Sequence, residues 1–153
     1  MRINKRDVVI REIEQNDINL LYALFQEVTD EDKRFFHPHP FDKKTVTKIC
    51  NSKGDHYYIM LLDNKIIGYS MLRLFGYEIP SFGIYICKQF RNRGYGTILT
   101  KWTIGKAKRL GYKKVILKTY KENIAAQKVY KKVGFVVVGE TPDGKQLNME
   151  LKL

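Results

Sequence analysis

Apolar residues along the chain switch between two periods, and each switch marks an element. Over Asp7–Ile13, Val9, Arg11 and Ile13 alternate with Val8, Ile10 and Glu12, the period of a strand. Asn16 or Asp17 then stands as a helix N-cap, and Ile18, Leu21, Phe25 and Val28 recur at the spacing of one helical face. The charged run Thr29–Arg34 ends that helix. Phe35–Pro40 is a stiff loop, because the residue before each proline is held out of the helical region. Asp42 caps a short helix over Lys43–Asn51 with Val46 and Ile49 inward, and Ser52–Asp55 breaks it. Strands follow over His56–Leu62 and Lys65–Phe75, joined by a tight turn at Asp63 and Asn64. Gly68 inside the second of them marks a bulge or a close backbone approach. A bend over Gly76–Ser81 leads into a third strand, Phe82–Cys87.

In the second half, Thr97–Leu110 reads as a helix with Ile98, Leu99, Trp102 and Leu110 inward, a Lys/Arg-rich outer face, and Gly111 as its stop. Lys114–Thr119, with Val115, Ile116 and Leu117 apolar in a row, predicts a central strand. Asn123–Val133 is a further helix with Ala126, Val129, Tyr130 and Val133 on its inner stripe, ended by Gly134. Phe135–Gly139 and Gln146–Leu151 are two last strands around the Thr141–Lys145 turn. The order β-α-α-β-β-β-α-β-α-β-β predicts an α/β fold: one mixed sheet with helices on its faces, in a single domain over residues 1–153.

Composition narrows the setting. Tyrosine aside, the longest apolar runs are about four residues, far short of the ~20 of a membrane helix. The N-terminal stretch is charged without an apolar core, which argues against a secretory signal. Two cysteines, Cys50 and Cys87, make no disulfide framework and predict a reducing, cytoplasmic setting. His37 and His39 lack a third ligand, and no Cys/His cluster has zinc spacing, so no metal is expected. The net charge of +12 is segregated. Residues 1–78 hold 12 bases and 12 acids, whereas residues 79–139 hold 14 bases and one acid, Glu122. Such a field suits solvated helix faces, a polyanionic small ligand, or nucleic acid.

The basic part contains the most informative stretch, Ile84–Gly96, IYICKQFRNRGYG. A short apolar strand runs into a glycine-containing turn and then a helix start. Unpaired N–H groups and the helix dipole make that junction an anion site. Gly94 and Gly96 remove side chains where a phosphate would touch backbone, and Arg91 and Arg93 add charge. A Walker loop requires Lys followed by Ser or Thr, which is absent. A dinucleotide fingerprint requires a third glycine where Leu99 stands. What remains, R-x-x-G-x-G, resembles the acetyl-CoA pyrophosphate loop of the GNAT superfamily of N-acetyltransferases. About thirty residues later, Asn123–Phe135 carries N-x-x-A-x-x-x-Y-x-x-x-G-F, which resembles the same superfamily in spelling and separation. The order of elements is similar along nearly the whole chain.

The resemblance implies an acyltransferase that moves the acetyl group of acetyl-CoA directly to a primary amine with both substrates bound together. It implies that pantetheine lies between the strands Phe82–Cys87 and Lys114–Thr119, against the backbone of Ile84, Tyr85 and Ile86. Arg91, Asn92, Arg93, Gly94, Tyr95 and Gly96 would wrap the pyrophosphate, Thr97 would add a hydroxyl, and Asn123 would hydrogen-bond the cofactor. The Ile86 N–H would polarise the thioester carbonyl, and Tyr130 would protonate the departing thiolate. Asn123 and Tyr130, two turns apart, share a helix face, as this requires. The usual position of the catalytic glutamate holds Pro80, a departure from the family pattern, and Glu78 is the nearest acid on the same strand face. His37, His39 and Tyr85 are lesser candidates for the base. The amine acceptor is open, small molecule or protein, as are monomer and homodimer. Nucleic acid is not expected as a partner except through a ribosomal or RNA-bound substrate. The alternatives are a basic nucleic-acid-binding module and a GNAT-like acyl-CoA-binding domain without turnover.

Overall fold

The computed structural model describes residues 7–153. Seven strands form one sheet in the order β1-β2-β3-β4-β5-β7-β6. These strands are β1 (Val9–Glu12), β2 (His56–Leu62), β3 (Lys65–Arg73), β4 (Ser81–Ile86), β5 (Lys114–Tyr120), β6 (Val136–Glu140) and β7 (Gln146–Lys152). The helices are α1 (Ile18–Gln26), α2 (Lys43–Cys50), α3 (Tyr95–Arg109) and α4 (Ile124–Val133). The predicted order of strands and helices is the observed one. Short 3₁₀ turns over Gln15–Asp17, Asp32–Arg34 and Lys88–Phe90 are added to it.

Alternation along the strands divides the core into two layers. Tyr57 and Ile59 of β2, with Tyr69, Met71 and Tyr85, meet Leu21, Leu24 and Phe25 of α1 and Val46 and Ile49 of α2. Tyr58 and Met60 point the opposite way, toward the layer that holds Leu99 and Ala107 of α3 and Tyr130 of α4. Each fully buried large aliphatic side chain contributes about 1.5–3 kcal/mol.

Gly68 combines both readings of its position. The β2–β3 register slips between Met60 and Leu61, opposite Gly68 and Ile66. A Cβ on Gly68 would meet Ile86 Cδ1 at 3.0 Å, Leu99 Cδ2 at 3.1 Å and Met60 Cβ at 3.2 Å. The glycine therefore lets β3 sit against both the end of β4 and the first turns of α3.

Three expectations shift. Helix α3 begins at Tyr95, two residues early, because Gly94 takes a left-handed φ of +89° and serves as its N-cap. Its inner face is Tyr95, Leu99, Thr100, Thr103 and Ala107, while Leu110 is the exposed C-cap. The buried threonine hydroxyls are satisfied: Thr103 donates to the Leu99 carbonyl and is 2.8 Å from the Ser70 hydroxyl. Strand β5 is central but alternates, with Val115, Leu117 and Thr119 buried against the α3–α4 layer and Ile116 and Lys118 exposed, because the α1–α2 layer packs on β2–β4 and does not reach it; its neighbour β4 also diverges from it.

Candidate functional site

That divergence creates the site. β4 and β5 run parallel but pair only at Ser81 and Ile116, where the Ile116 N–H donates to the Pro80 carbonyl at 3.1 Å. Beyond this point they part. On the other side of β4, the Cys87 N–H donates to Ile67 at 2.9 Å. In an antiparallel ladder alternate residues point their backbone groups to opposite edges. Ile84 and Ile86 therefore turn N–H and C=O into the gap, where no strand receives them. A cleft of about 640 Å³ occupies this fork. Ile84, Tyr85 and Ile86 line one wall and Lys118 and Thr119 the other; Asn123, Ala126, Val129 and Tyr130 of the α4 segment close one side. Glu31, Asp32, Arg34, Phe35 and Phe36, between α1 and α2, close the opposite side.

At the end of β4 the chain makes a nest of N–H groups. Asn92 and Gly94 both take positive φ, +62° and +89°. Gly94 caps α3 without a side-chain hydrogen bond, and Ile98 N–H is the first amide to bond back, to Gly94. The N–H groups of Tyr95, Gly96 and Thr97 have no helical acceptor, and the helix dipole adds to them. A Cβ on Gly96 would meet nothing closer than Ile86 Cγ1 at 3.9 Å, so the protein alone does not require glycine there. Its bareness faces the cleft, the place for a ligand that touches backbone.

The sequence-predicted residues divide. Arg91, Asn92, Gly94, Gly96, Thr97, Asn123 and Tyr130 line one cleft together with Ile84, Tyr85 and Ile86. Tyr95 is buried against Phe90, and Arg93 lies over the Phe90 ring at 5.9 Å; neither side chain lines the cleft. The Asn123 side chain caps α4 by accepting from Ala126 N–H at 3.3 Å, which leaves its NH₂ group free. Tyr130 is buried between Phe82 and Phe135, and its hydroxyl makes no hydrogen bond among the described residues. Burial raises its pKa, so the phenol stays protonated.

Glu78 stands apart. It is exposed in the bend at 76–80 and does not line the cleft. Pro80, whose carbonyl holds Ile116, lies at the closed end of the fork, and Glu78 precedes it. The carboxylates that do line the cleft are Glu31 and Asp32, in the charged run that sequence reading took only as a helix end. Tyr85 pairs its backbone with β3 rather than the fork, and its side chain turns to the α1–α2 layer and donates to Asp32 at 2.9 Å. The two histidines serve tyrosines: His37 is 2.8 Å from the Tyr120 hydroxyl and His39 3.1 Å from that of Tyr69. Burial lowers the His39 pKa, so this ring stays neutral. Among the described residues no group of three or more His, Cys, Asp or Glu could hold a metal ion, and no helix is long and apolar enough to cross a membrane. Cys50 and Cys87 are free and buried, and burial raises both thiol pKa values.

Comparison with known proteins adds four findings. The pattern that defines the acetyltransferase (GNAT) family matches residues 21–135. The L-amino acid N-acetyltransferase AaaT of Escherichia coli (strain K12) is 24% identical over 138 residues, covering 87% of this chain and 85% of that protein. Among solved structures, the GNAT domain of S. lividans PAT superposes with a TM-score of 0.85 at 15% identity, covering 99% of this chain and 100% of that one. The aminoglycoside acetyltransferase AAC(6')-Ib in complex with coenzyme A superposes with a TM-score of 0.75 at 19% identity, covering 95% and 94%.

Proposed function

The chain belongs to the GNAT family of acetyltransferases, and from that premise we propose that it transfers the acetyl group of acetyl-CoA directly to a primary amine bound in the same cleft. The observation that carries this reading is the backbone of Ile84 and Ile86, without a strand partner on the fork side, running into a bare helix N-terminus inside one cleft. A pantetheine arm has amide groups to pair with such backbone, and a pyrophosphate suits the N–H groups of residues 95–97. A pure nucleic-acid module would need basic surface but neither feature.

Each group then has a role. The Ile86 N–H holds the thioester carbonyl and the oxyanion that develops on it, and the Ile84 backbone pairs with the pantetheine arm. Asn123 donates its free NH₂ to the cofactor. The amine nitrogen bonds to the acetyl carbon, the C–S bond breaks, and the electron pair leaves on sulfur. Tyr130, protonated at every relevant pH, donates its proton to that thiolate, whose ordinary pKa is about 8.5. The proton lost by the amine passes to Glu31, directly or through water. We assign the base to Glu31 rather than Glu78 because Glu31 lines the cleft and its carboxylate has no partner among the described residues, while Asp32 spends both oxygens on the protein. Much of the acceleration comes from holding donor and acceptor together. The phenyl rings of Phe35 and Phe36 make the acceptor side partly apolar. The E. coli relative acts on L-amino acids, which makes α-amines the first acceptors to assay.

Calorimetric titration with acetyl-CoA beside 3′-dephospho-CoA and a short RNA duplex tests the reading, followed by release of free thiol with a panel of amines. One-site binding of acetyl-CoA and amine-dependent thiol release support it. Salt-sensitive duplex binding without acetyl-CoA binding refutes it, and acetyl-CoA binding without turnover on any amine favours the acyl-CoA-binding alternative.

A further inference from the structure

Arg91 opens the phosphate-binding motif, yet its side chain is committed elsewhere. Its Nε donates to the Ile86 carbonyl at 2.9 Å, and its Nη1 donates to Asp32 Oδ1 at 2.9 Å. The guanidinium also lies 5.3 Å from the centre of the Tyr85 ring. The carboxylate that receives it is enclosed: the Asp32 side chain is 7% exposed. Asp32 Oδ2 accepts from the Tyr85 hydroxyl at 2.9 Å and from Thr29 N–H at 3.2 Å. Burial alone would raise the Asp32 pKa, but the bonds from Arg91 and Tyr85 carry it below the usual carboxylate range.

Two consequences follow. The Ile86 carbonyl faces the fork without a strand partner, beside the place of the phosphates. Left bare, its partial negative charge would oppose them; Arg91 covers it. The same guanidinium ties the segment bearing Glu31, Phe35 and Phe36 to the end of the donor strand. From this geometry we infer that Asp32 is a positioning residue for acyl transfer, holding Arg91 on the Ile86 carbonyl and away from the donor's phosphates, and so setting the acceptor wall against the thioester. The inference rests on the acetyl-CoA reading of the cleft.

It makes a prediction of unusual sign. Asp32→Asn preserves the shape but releases Arg91, which can then turn onto the pyrophosphate. Acetyl-CoA binds about three- to fivefold tighter, the worth of one partly exposed charge pair. At the same time kcat falls on the order of tenfold and the acceptor KM rises, because the wall is displaced. A residue that merely supported the fold would weaken both. Affinity is measured by calorimetry with acetyl-CoA, and turnover by thiol release. The same pair is repeated in an Arg91→Ala background, where Asp32→Asn should no longer change affinity. Tightening that persists there would mean that Asp32 acts by its charge alone, and overturns the role given to Arg91. Wild type that binds acetyl-CoA while Asp32→Asn binds it no tighter overturns the inference alone. Wild type that does not bind acetyl-CoA overturns the functional reading as well. Should Asp32→Asn not fold, Arg91→Gln decides: kcat falls while acetyl-CoA affinity weakens by no more than about threefold, the effect of the bared Ile86 carbonyl, and a tenfold loss of affinity refutes the assignment.

Discussion

Replacing Gly68 by alanine tests whether the fork is held by close packing behind it. The added methyl meets Ile86 Cδ1, Leu99 Cδ2 and Met60 Cβ at 3.0, 3.1 and 3.2 Å. Relaxed carbon contacts lie at about 3.5–4.0 Å, so each approach is short by several tenths of an ångström. The first two atoms are side-chain ends, but Met60 Cβ is rooted in the β2 backbone and cannot swing away. Overpacking of this kind costs about 1–3 kcal/mol. Reduced freedom of the unfolded chain returns about 0.5–1 kcal/mol. The net is roughly 1–2 kcal/mol of destabilisation, or a Tm lower by about 2–8 °C for a domain of this length. Because Ile86 and Leu99 take up the displacement, acetyl-CoA affinity falls too. Gly83→Ala is the internal comparison. Its methyl meets only the Met71 side chain, Cγ and Sδ both at 3.1 Å, and a thioether repacks readily. Urea unfolding of the three proteins, followed by circular dichroism, gives the energies. If Gly68→Ala is as stable as wild type, or less perturbed than Gly83→Ala, the packing argument is wrong.

Four further outcomes are expected. Tyr130→Phe lowers kcat by roughly 10²-fold with acetyl-CoA affinity unchanged in calorimetry; full turnover would remove Tyr130 as the acid. Asn123→Asp keeps the α4 cap, so Tm holds, but replaces a donor with a negative charge in the cleft of an anionic cofactor; acetyl-CoA affinity drops at least tenfold, and an unchanged Kd refutes the contact. Glu31→Gln removes the inflection that amine deprotonation gives to the pH–rate profile, whereas Glu78→Gln leaves the profile as in wild type; the reverse pattern returns the base to Glu78. Asp17 accepts two bonds from Arg11, both 2.8 Å, and these hydrogen bonds hold its pKa below the ordinary value despite burial. A carboxyl depressed in the folded state stabilises above the unfolded pKa of about 3.9, and that share is lost as pH falls through the folded value. Asp17→Asn therefore costs about 2 kcal/mol at neutral pH and flattens the acid limb of stability below about pH 4. An unaltered acid limb would show that Asp17 does not carry it.

The parts of the site that were legible in the sequence are those made by local chain geometry. Gly94 and Gly96 after a strand specify a turn and a bare helix start, and Asn123 specifies a cap; both motifs lie on the elements expected of them. The meander was legible because the pair Asp63-Asn64, both at positive φ, makes a turn of its own. The α3 boundary was missed because a buried Tyr95 follows a left-handed Gly94, and neither burial nor handedness shows in an apolar count. The Asp32–Tyr85–Arg91 cluster was missed for a different reason. It joins residues 53 and 59 positions apart, and a charged run such as 29–34 reads the same whether its acids face solvent or an arginine across a cleft. Glu78 was placed by counting along a strand that proved to begin at Ser81, one residue after a proline tied to β5.

The place of β7 bears on how the fork breathes. β5 meets β4 at one residue pair but meets β7 along its whole length, from Lys114↔Lys152 to Tyr120↔Gln146. The backbone ladder of the far wall is thus almost entirely with the latest described strand, none of whose residues lines the cleft. Local opening of β7 would set β5 adrift and dissolve the cleft while β1–β4 stayed intact. In hydrogen exchange, the amides of β5 should then open together with those of β7, and separately from those of β3. During synthesis the fork has no second wall until residues 146–152 have emerged and slipped between β5 and β6.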